Sequence, residues 1–93
     1  MARLEKVTWD SEPWNDFCDL IDNHQKSTVA KIIKLIKDIR RNGVDTGIGK
    51  PEQLKHELTG LWSREITGAD RLVYYAENDT LFIVQCVTHY KKV

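Results

Sequence analysis

Gly-Lys-Pro-Glu-Gln-Leu-Lys-His-Glu-Leu-Thr-Gly-Leu-Trp-Ser-Arg-Glu-Ile-Thr-Gly-Ala-Asp-Arg, residues 49–71, opens as a glycine-bearing loop and turns into β-like sequence. Turn formers interrupt it at Leu58-Thr59-Gly60 and at Thr67-Gly68-Ala69-Asp70, and a third break follows at Glu77-Asn78-Asp79. The β-like segments between the breaks are residues 53–57 running on through 61–66, then 71–76, then 80–89. Breaks this short make neighbouring strands antiparallel, because a parallel pair needs a long crossover.

Working back towards the N-terminus, residues 4–9 are half β-branched or aromatic and read as a first strand. Asp10-Ser11-Glu12-Pro13 is a helix start, with Ser11 or Asp10 as cap and Pro13 in the first turn. Trp14, Phe17, Cys18 and Ile21 follow at i, i+3, i+4 and i+7, and Asn23-His24 ends that helix. In a second helix, capped by Ser27 or Thr28, Val29, Ile32, Ile33, Ile36 and Ile39 mark one apolar face with Leu35 at its edge. Lys31, Lys34, Lys37 and Arg41 share the opposite side, by default a solvated face, and Asn42-Gly43 stops the helix. Helices first and strands last predict an α+β fold, strand-helix-helix-strands, with both helices on one face of a twisted, mainly antiparallel sheet.

Ninety-three residues make one domain, 1–93, with 41% apolar side chains and three tryptophans to build its core. Cys18 and Cys86 are far apart without ligand spacing, so reduced thiols in the core are expected and neither metal nor cofactor is called for. There is no signal-peptide pattern and no apolar run near the roughly 20 residues of a membrane span, which predicts a cytoplasmic protein. Net charge is zero but polarised: residues 1–25 carry two cations against six acids, and residues 26–56 eight cations against three. Such a chain can still present a basic face to phosphate.

Cleavage of RNA by its own 2′-hydroxyl needs a base for the 2′ proton, cations around the crowded phosphorus and an acid for the departing 5′ oxygen. Candidates for each are present: Glu52 as base, Arg71 and Arg64 with Lys50 and Lys55 as cations, and His89 as acid. Tyr90 beside it offers a ring that can stack on a base. Gly47-Ile48-Gly49-Lys50 lacks the phosphate-loop pattern, and Trp9, Trp14 and Trp62 read as core or interface anchors.

Gly-Lys-Pro-Glu-x-Leu-Lys-His at 49–56, Leu-x-Gly-x-Trp-Ser-Arg at 58–64, Arg-Leu-Val-Tyr at 71–74 and His-Tyr at 89–90 closely resemble YoeB-type toxins, within the RelE-like group of bacterial toxin–antitoxin systems. Lys-Leu-Ile-Lys-Asp-Ile-Arg-Arg at 34–41 and the Trp9/Trp14 spacing are similar too, so the resemblance spans nearly the whole chain. It implies a ribosome-dependent endonuclease that cuts mRNA in the A site without metal, and a YefM-type antitoxin that neutralises it. It further implies a homodimer, and operator DNA as a partner only through the antitoxin complex. On the matching positions Glu52 would be the general base, His89 the general acid, Arg71 the transition-state cation and Tyr90 the orienting group. Lys50, Lys55 and Arg64 would grip phosphate or ribosomal RNA.

Two positions depart from the family pattern. Glu65 stands where the family usually has a second arginine, and Lys91-Lys92-Val93 follow the His-Tyr pair at which family chains commonly stop. Strand alternation sends Arg64 and Glu65 to opposite faces, so only one can face substrate. Glu65 and the zero net charge carry the alternative reading, a toxin-like binding module that works with its antitoxin in complex formation and autorepression.

Overall fold

In the computed structural model, which describes residues 3–87, both helices stop where local chemistry stops them. Asp10, in extended backbone, precedes α1 (Ser11–Asp22), and Pro13 lies buried in the first turn, where a missing N–H breaks no intrahelical bond. Asn23 closes α1, His24 turns the chain in the left-handed region, and α2 (Lys26–Asn42) begins at once. Its cap position is therefore Gln25, and Ser27 and Thr28 fall inside the first turn rather than capping it. Gly43 ends α2 at φ 98°, its N–H bonded to Ile39 O.

The strands are β1 (Lys6–Trp9), β2 (Glu52–Gln53), β3 (Trp62–Glu65), β4 (Arg71–Glu77) and β5 (Thr80–Gln85), in spatial order β1-β5-β4-β3-β2. β2 through β5 pair antiparallel in sequence, as short turns require, while β1 joins the far side of β5 in parallel. The expected strand at 53–57 is only two residues long. Leu54 N–H still reaches Leu61 O, but Lys55 is extended and His56 adopts φ 60°, and residues 56–58 wind into one 3-10 turn. Val73 faces Gln85 and Tyr74 faces Ile83, which leaves Val84 as the extra residue of a bulge in β5.

Ile32, Leu35 and Ile39 of α2 are fully buried against Leu72, Tyr74, Leu81, Ile83, Cys86 and Ile66. The two-fold alternation along β4 and β5 turns those strand residues to the helices. The helix stripe is thus centred on Leu35, not bordered by it, and Ile33 is 40% exposed. Trp9 closes one end of the core against Trp14 and Phe17, ring centroids 5.7 and 5.0 Å away. Both cysteines are free, Cys86 buried and Cys18 half-buried. Among the described residues no helix is long and apolar enough to cross a membrane.

Candidate active site

Alternation along β3 and β4 sorts their side chains into two sets. Arg64, Leu72 and Tyr74 turn to the helices, and Ser63, Glu65, Arg71 and Val73 turn to the opposite, open face. Register does the rest: Glu52 lies across from Ser63, Ser63 from Val73, and Glu65 from Arg71. Arg71 Nε donates to Ser63 Oγ at 2.9 Å, and its Nη2 donates to Glu52 Oε1 at 3.3 Å. Ser63 is buried beneath the guanidinium and fixes its plane, whereas the Glu52 side chain remains 66% exposed. An ion pair this open to water adds little to stability, on the order of 0–1 kcal/mol. It leaves a carboxylate and a guanidinium side by side and accessible, able to act on a ligand together.

Lys50 flanks this pair, its ammonium 3.7 Å from Glu65 Oε1 and largely in solvent. It reaches that place through two successive left-handed residues, Gly49 at φ 83° and Lys50 itself at φ 55°, just before Pro51. A lysine in that conformation costs roughly 1–3 kcal/mol, which the surrounding contacts must offset. Lys55 is exposed at the residue before the 3-10 turn. His89 and Tyr90 lie outside the described residues.

Arg64 takes a part that differs from the expected one. It is 0% exposed and cannot grip RNA. Its Nε donates to Tyr74 Oη at 2.9 Å, Nη1 to Asp38 Oδ2 at 2.6 Å and Ile48 O at 3.0 Å, and Nη2 to Gly43 O at 2.9 Å and Thr46 O at 2.8 Å. A guanidinium has five N–H donors, so every one is used. Tyr74 in turn donates to Val44 O at 2.7 Å, and Asp38 accepts the Ile48 N–H at 3.1 Å and the Asn42 amide at 2.9 Å. Partial burial alone would raise the Asp38 carboxyl, but hydrogen bonds from Arg64, Ile48 and Asn42, with the arginine charge, outweigh it and hold Asp38 below its ordinary range. Burial pushes the Tyr74 hydroxyl up, against the pull of Arg64, and keeps it a donor.

The loop must come in close to be held this way. A Cβ added at Gly47 would overlap the Asp38 carboxylate and sit 2.9 Å from Arg64 Nη1, and one at Gly49 would lie 2.7 Å from Leu35 Cδ2. Glycine is required at both places for lack of room as well as for positive φ. Of the groups expected from sequence, the fold thus gathers Glu52 and Arg71, sets Lys50 beside them, leaves Lys55 at the surface and withdraws Arg64 into the interior. Sequence reasoning passed over Ser63, although alternation on β3 places it on the Arg71 side. Glu65 is on that side too, an anion within reach of Lys50.

A helix pair packed on one face of such a sheet is an architecture shared with bacterial toxins of known structure. A YoeB–YefM complex from Staphylococcus aureus contains a chain 43% identical to this one, aligned over 96% of this chain and 100% of that one with a TM-score of 0.87. A YoeB dimer from the same organism aligns over the same shares at 43% identity and a TM-score of 0.85. Toxin YoeB of Escherichia coli K12 is 47% identical over 85 residues, 91% of this chain and 99% of its own length. The profile of the YoeB-like toxin of bacterial type II toxin-antitoxin system matches residues 9–90, and the chain belongs to that family.

Proposed function

We propose that this toxin is an endoribonuclease that cuts mRNA in the ribosomal A site and so stops translation. The observation that carries the reading is the Glu52–Arg71 pair, 3.3 Å apart on an open sheet face with Lys50 alongside. Glu52 takes the proton from the 2′-hydroxyl as O2′ attacks phosphorus. Arg71, braced by Ser63, holds the non-bridging oxygens while negative charge builds on them. The P–O5′ bond breaks, His89 gives its proton to O5′, and the products are a 2′,3′-cyclic phosphate and a 5′-hydroxyl. Tyr90 orients the nucleotide, and Lys50 and Lys55 hold neighbouring phosphates or ribosomal RNA. Side chains supply every charge in this scheme, so it runs without a metal. The ribosome contributes much of the positioning, and naked RNA is a poor substrate.

The partners on this reading are a YefM-type antitoxin, a second copy of the chain, and operator DNA reached only through the antitoxin complex. The place of work is the cytoplasm. The staphylococcal YoeB–YefM complex and YoeB dimer support the first two. A second reading, a binding module of weak or no activity, is favoured by Glu65, whose carboxylate sits 3.7 Å from the Lys50 ammonium where phosphate would be held. Primer extension on a message carried by programmed ribosomes separates them. The toxin should leave new 5′ ends within the A-site codon, and Glu52→Ala with His89→Ala should leave none. An intact message with the parent protein would establish the binding module, and equal cutting by the double variant would refute the catalytic assignment.

A further inference from the structure

We propose that Arg64 is a positioning residue: from inside the protein it holds the Gly43–Lys50 loop in the one path that delivers Glu52 to Arg71. The inference rests on the reading of Glu52 as the base, and concerns a residue that touches no substrate. Nine residues, 43–51, connect α2 to β2 without regular structure, and Glu52 is the first residue after them. Left to itself such a segment would hold no side chain to catalytic tolerance. Here its carbonyls at Gly43, Thr46 and Ile48 all converge on one guanidinium, and Val44 O is tied to it through Tyr74. The Ile48 N–H is fixed by Asp38, the carboxylate that neutralises Arg64. Gly49 O then accepts the N–H of Glu65 at 2.7 Å, one residue beyond Arg64 on the same strand.

Between that last anchored atom and Glu52 stand only Lys50 and Pro51. Lys50 is already committed to φ 55°, and the proline ring fixes φ of the next residue. Little rotational freedom remains to move Glu52 away from Arg71. β3 thus acts on the site from both sides, with Ser63 bracing Arg71 on the open face and Arg64 bracing the loop from the helix side. Losing the guanidinium would free three carbonyls together and strip the Tyr74 hydroxyl, which holds Val44 O, of its own donor. A shift of about 1 Å at a reacting group can cost on the order of 100-fold in rate.

The test is Arg64→Lys, with Tyr74→Phe as a milder second variant that keeps the ring and removes only the hydroxyl. Folding is followed by circular dichroism and urea midpoint. kcat and KM for message cleavage on programmed ribosomes are measured separately, and the Arg71 Nε–H resonance and exchange of the Ile48 and Glu65 amides are read by NMR. A folded Arg64→Lys protein should lose about 100-fold in kcat with KM within about threefold of the parent. Tyr74→Phe should lose about tenfold, and in both variants the Arg71 resonance should shift and the two amides exchange faster. Were Arg64→Lys not to fold, the Tyr74→Phe result decides alone. Parent-like kcat in a folded variant, or a rise in KM alone, would overturn the proposal. The NMR arm needs no activity: a parent that cuts nothing refutes the endonuclease reading, while an unmoved Arg71 resonance and unchanged amide exchange refute the anchorage.

Discussion

Three glycines offer a way to weigh the buried anchorage, because a methyl group at each meets a different obstacle. At Gly68 an added Cβ touches nothing within 4 Å and φ is not positive, so Gly68→Ala should change stability by a few tenths of a kcal/mol or raise it by up to ~1 kcal/mol through the unfolded chain. Gly60 also faces open space but has φ +99°, so Gly60→Ala isolates the backbone cost of about 1–2 kcal/mol. Gly47 has φ +130° and no room, since its Cβ would drive the Asp38 carboxylate off Arg64. Losing a charge-assisted hydrogen bond of that kind adds about 1.5–3 kcal/mol, giving roughly 2.5–5 kcal/mol in all for Gly47→Ala. Against a total stability on the order of 5–15 kcal/mol this is a large fraction. Urea unfolding followed by tryptophan fluorescence, with m values compared to verify a common transition, gives the three differences directly. Should Gly47→Ala cost no more than Gly60→Ala, the loop does not press on Asp38 and Arg64 as described, and the account of its fixed path fails.

Leu35→Ala removes a fully buried side chain and should cost about 2–5 kcal/mol, while Ile33→Ala on the half-open flank of α2 should cost under about 1 kcal/mol, both read from urea midpoints. Asp38 has its carboxyl held below the ordinary 3.8, so its contribution is present above that value and is lost as pH falls through the lower folded one. The parent should therefore shed stability on acidification below about pH 4. Asp38→Asn should be weaker at neutral pH and flatter across that window, as urea midpoints against pH will measure. Burial and the nearby Asp16 and Asp70 charges push the Cys86 thiol from 9.0 up to about 12. The neutral form is favoured, so the related stability is whole below pH 9.0 and drains away as pH climbs towards 12. A thiol reagent at pH 8 should label half-buried Cys18 readily and Cys86 only after unfolding, and equal labelling of both in the native protein would contradict the burial.

The start of α1, the stops of both helices, the turn breaks and the antiparallel run were legible because each depends on a few adjacent residues, whereas the start of α2 was misplaced by two or three residues. Gly43 stops α2, and the interruptions at 58–60, 67–70 and 77–79 delimit the strands. Residues whose roles depend on distant partners were harder to read. Alternation placed Arg64 and Glu65 back to back but did not say which faces water, and a charged residue is assigned outward by default. Trp62 and Ile66, two residues to either side of Arg64 and more apolar than Ser63 and Glu65, were the available sign that Arg64 points inward. By helical periodicity Leu35 falls at the edge of the stripe formed by Val29 and the isoleucines, and only the sheet behind α2 shows that residues 32, 35 and 39 form the contact line. Gly47 and Gly49 marked a loop, yet the need for glycine at both comes from Asp38, Arg64 and Leu35. Nothing local foretold that β1 would lie parallel to β5.

That parallel pairing sets a timetable for the newly made protein. Lys6–Trp9 leaves the ribosome before the other strands, but the segment that accepts its hydrogen bonds, Thr80–Gln85, is synthesised after all of them, and it also separates β1 from the other three strands. Pairings between such distant segments form slowly, since a long stretch of chain must be gathered before they are rewarded. A growing chain can wind its helical hairpin early but cannot close its sheet until β5 has been made. Messages broken before the Thr80 codon would yield sticky fragments in which β1 is unpaired and β4 has a bare edge, instead of a smaller toxin, so the harmful form waits on β5.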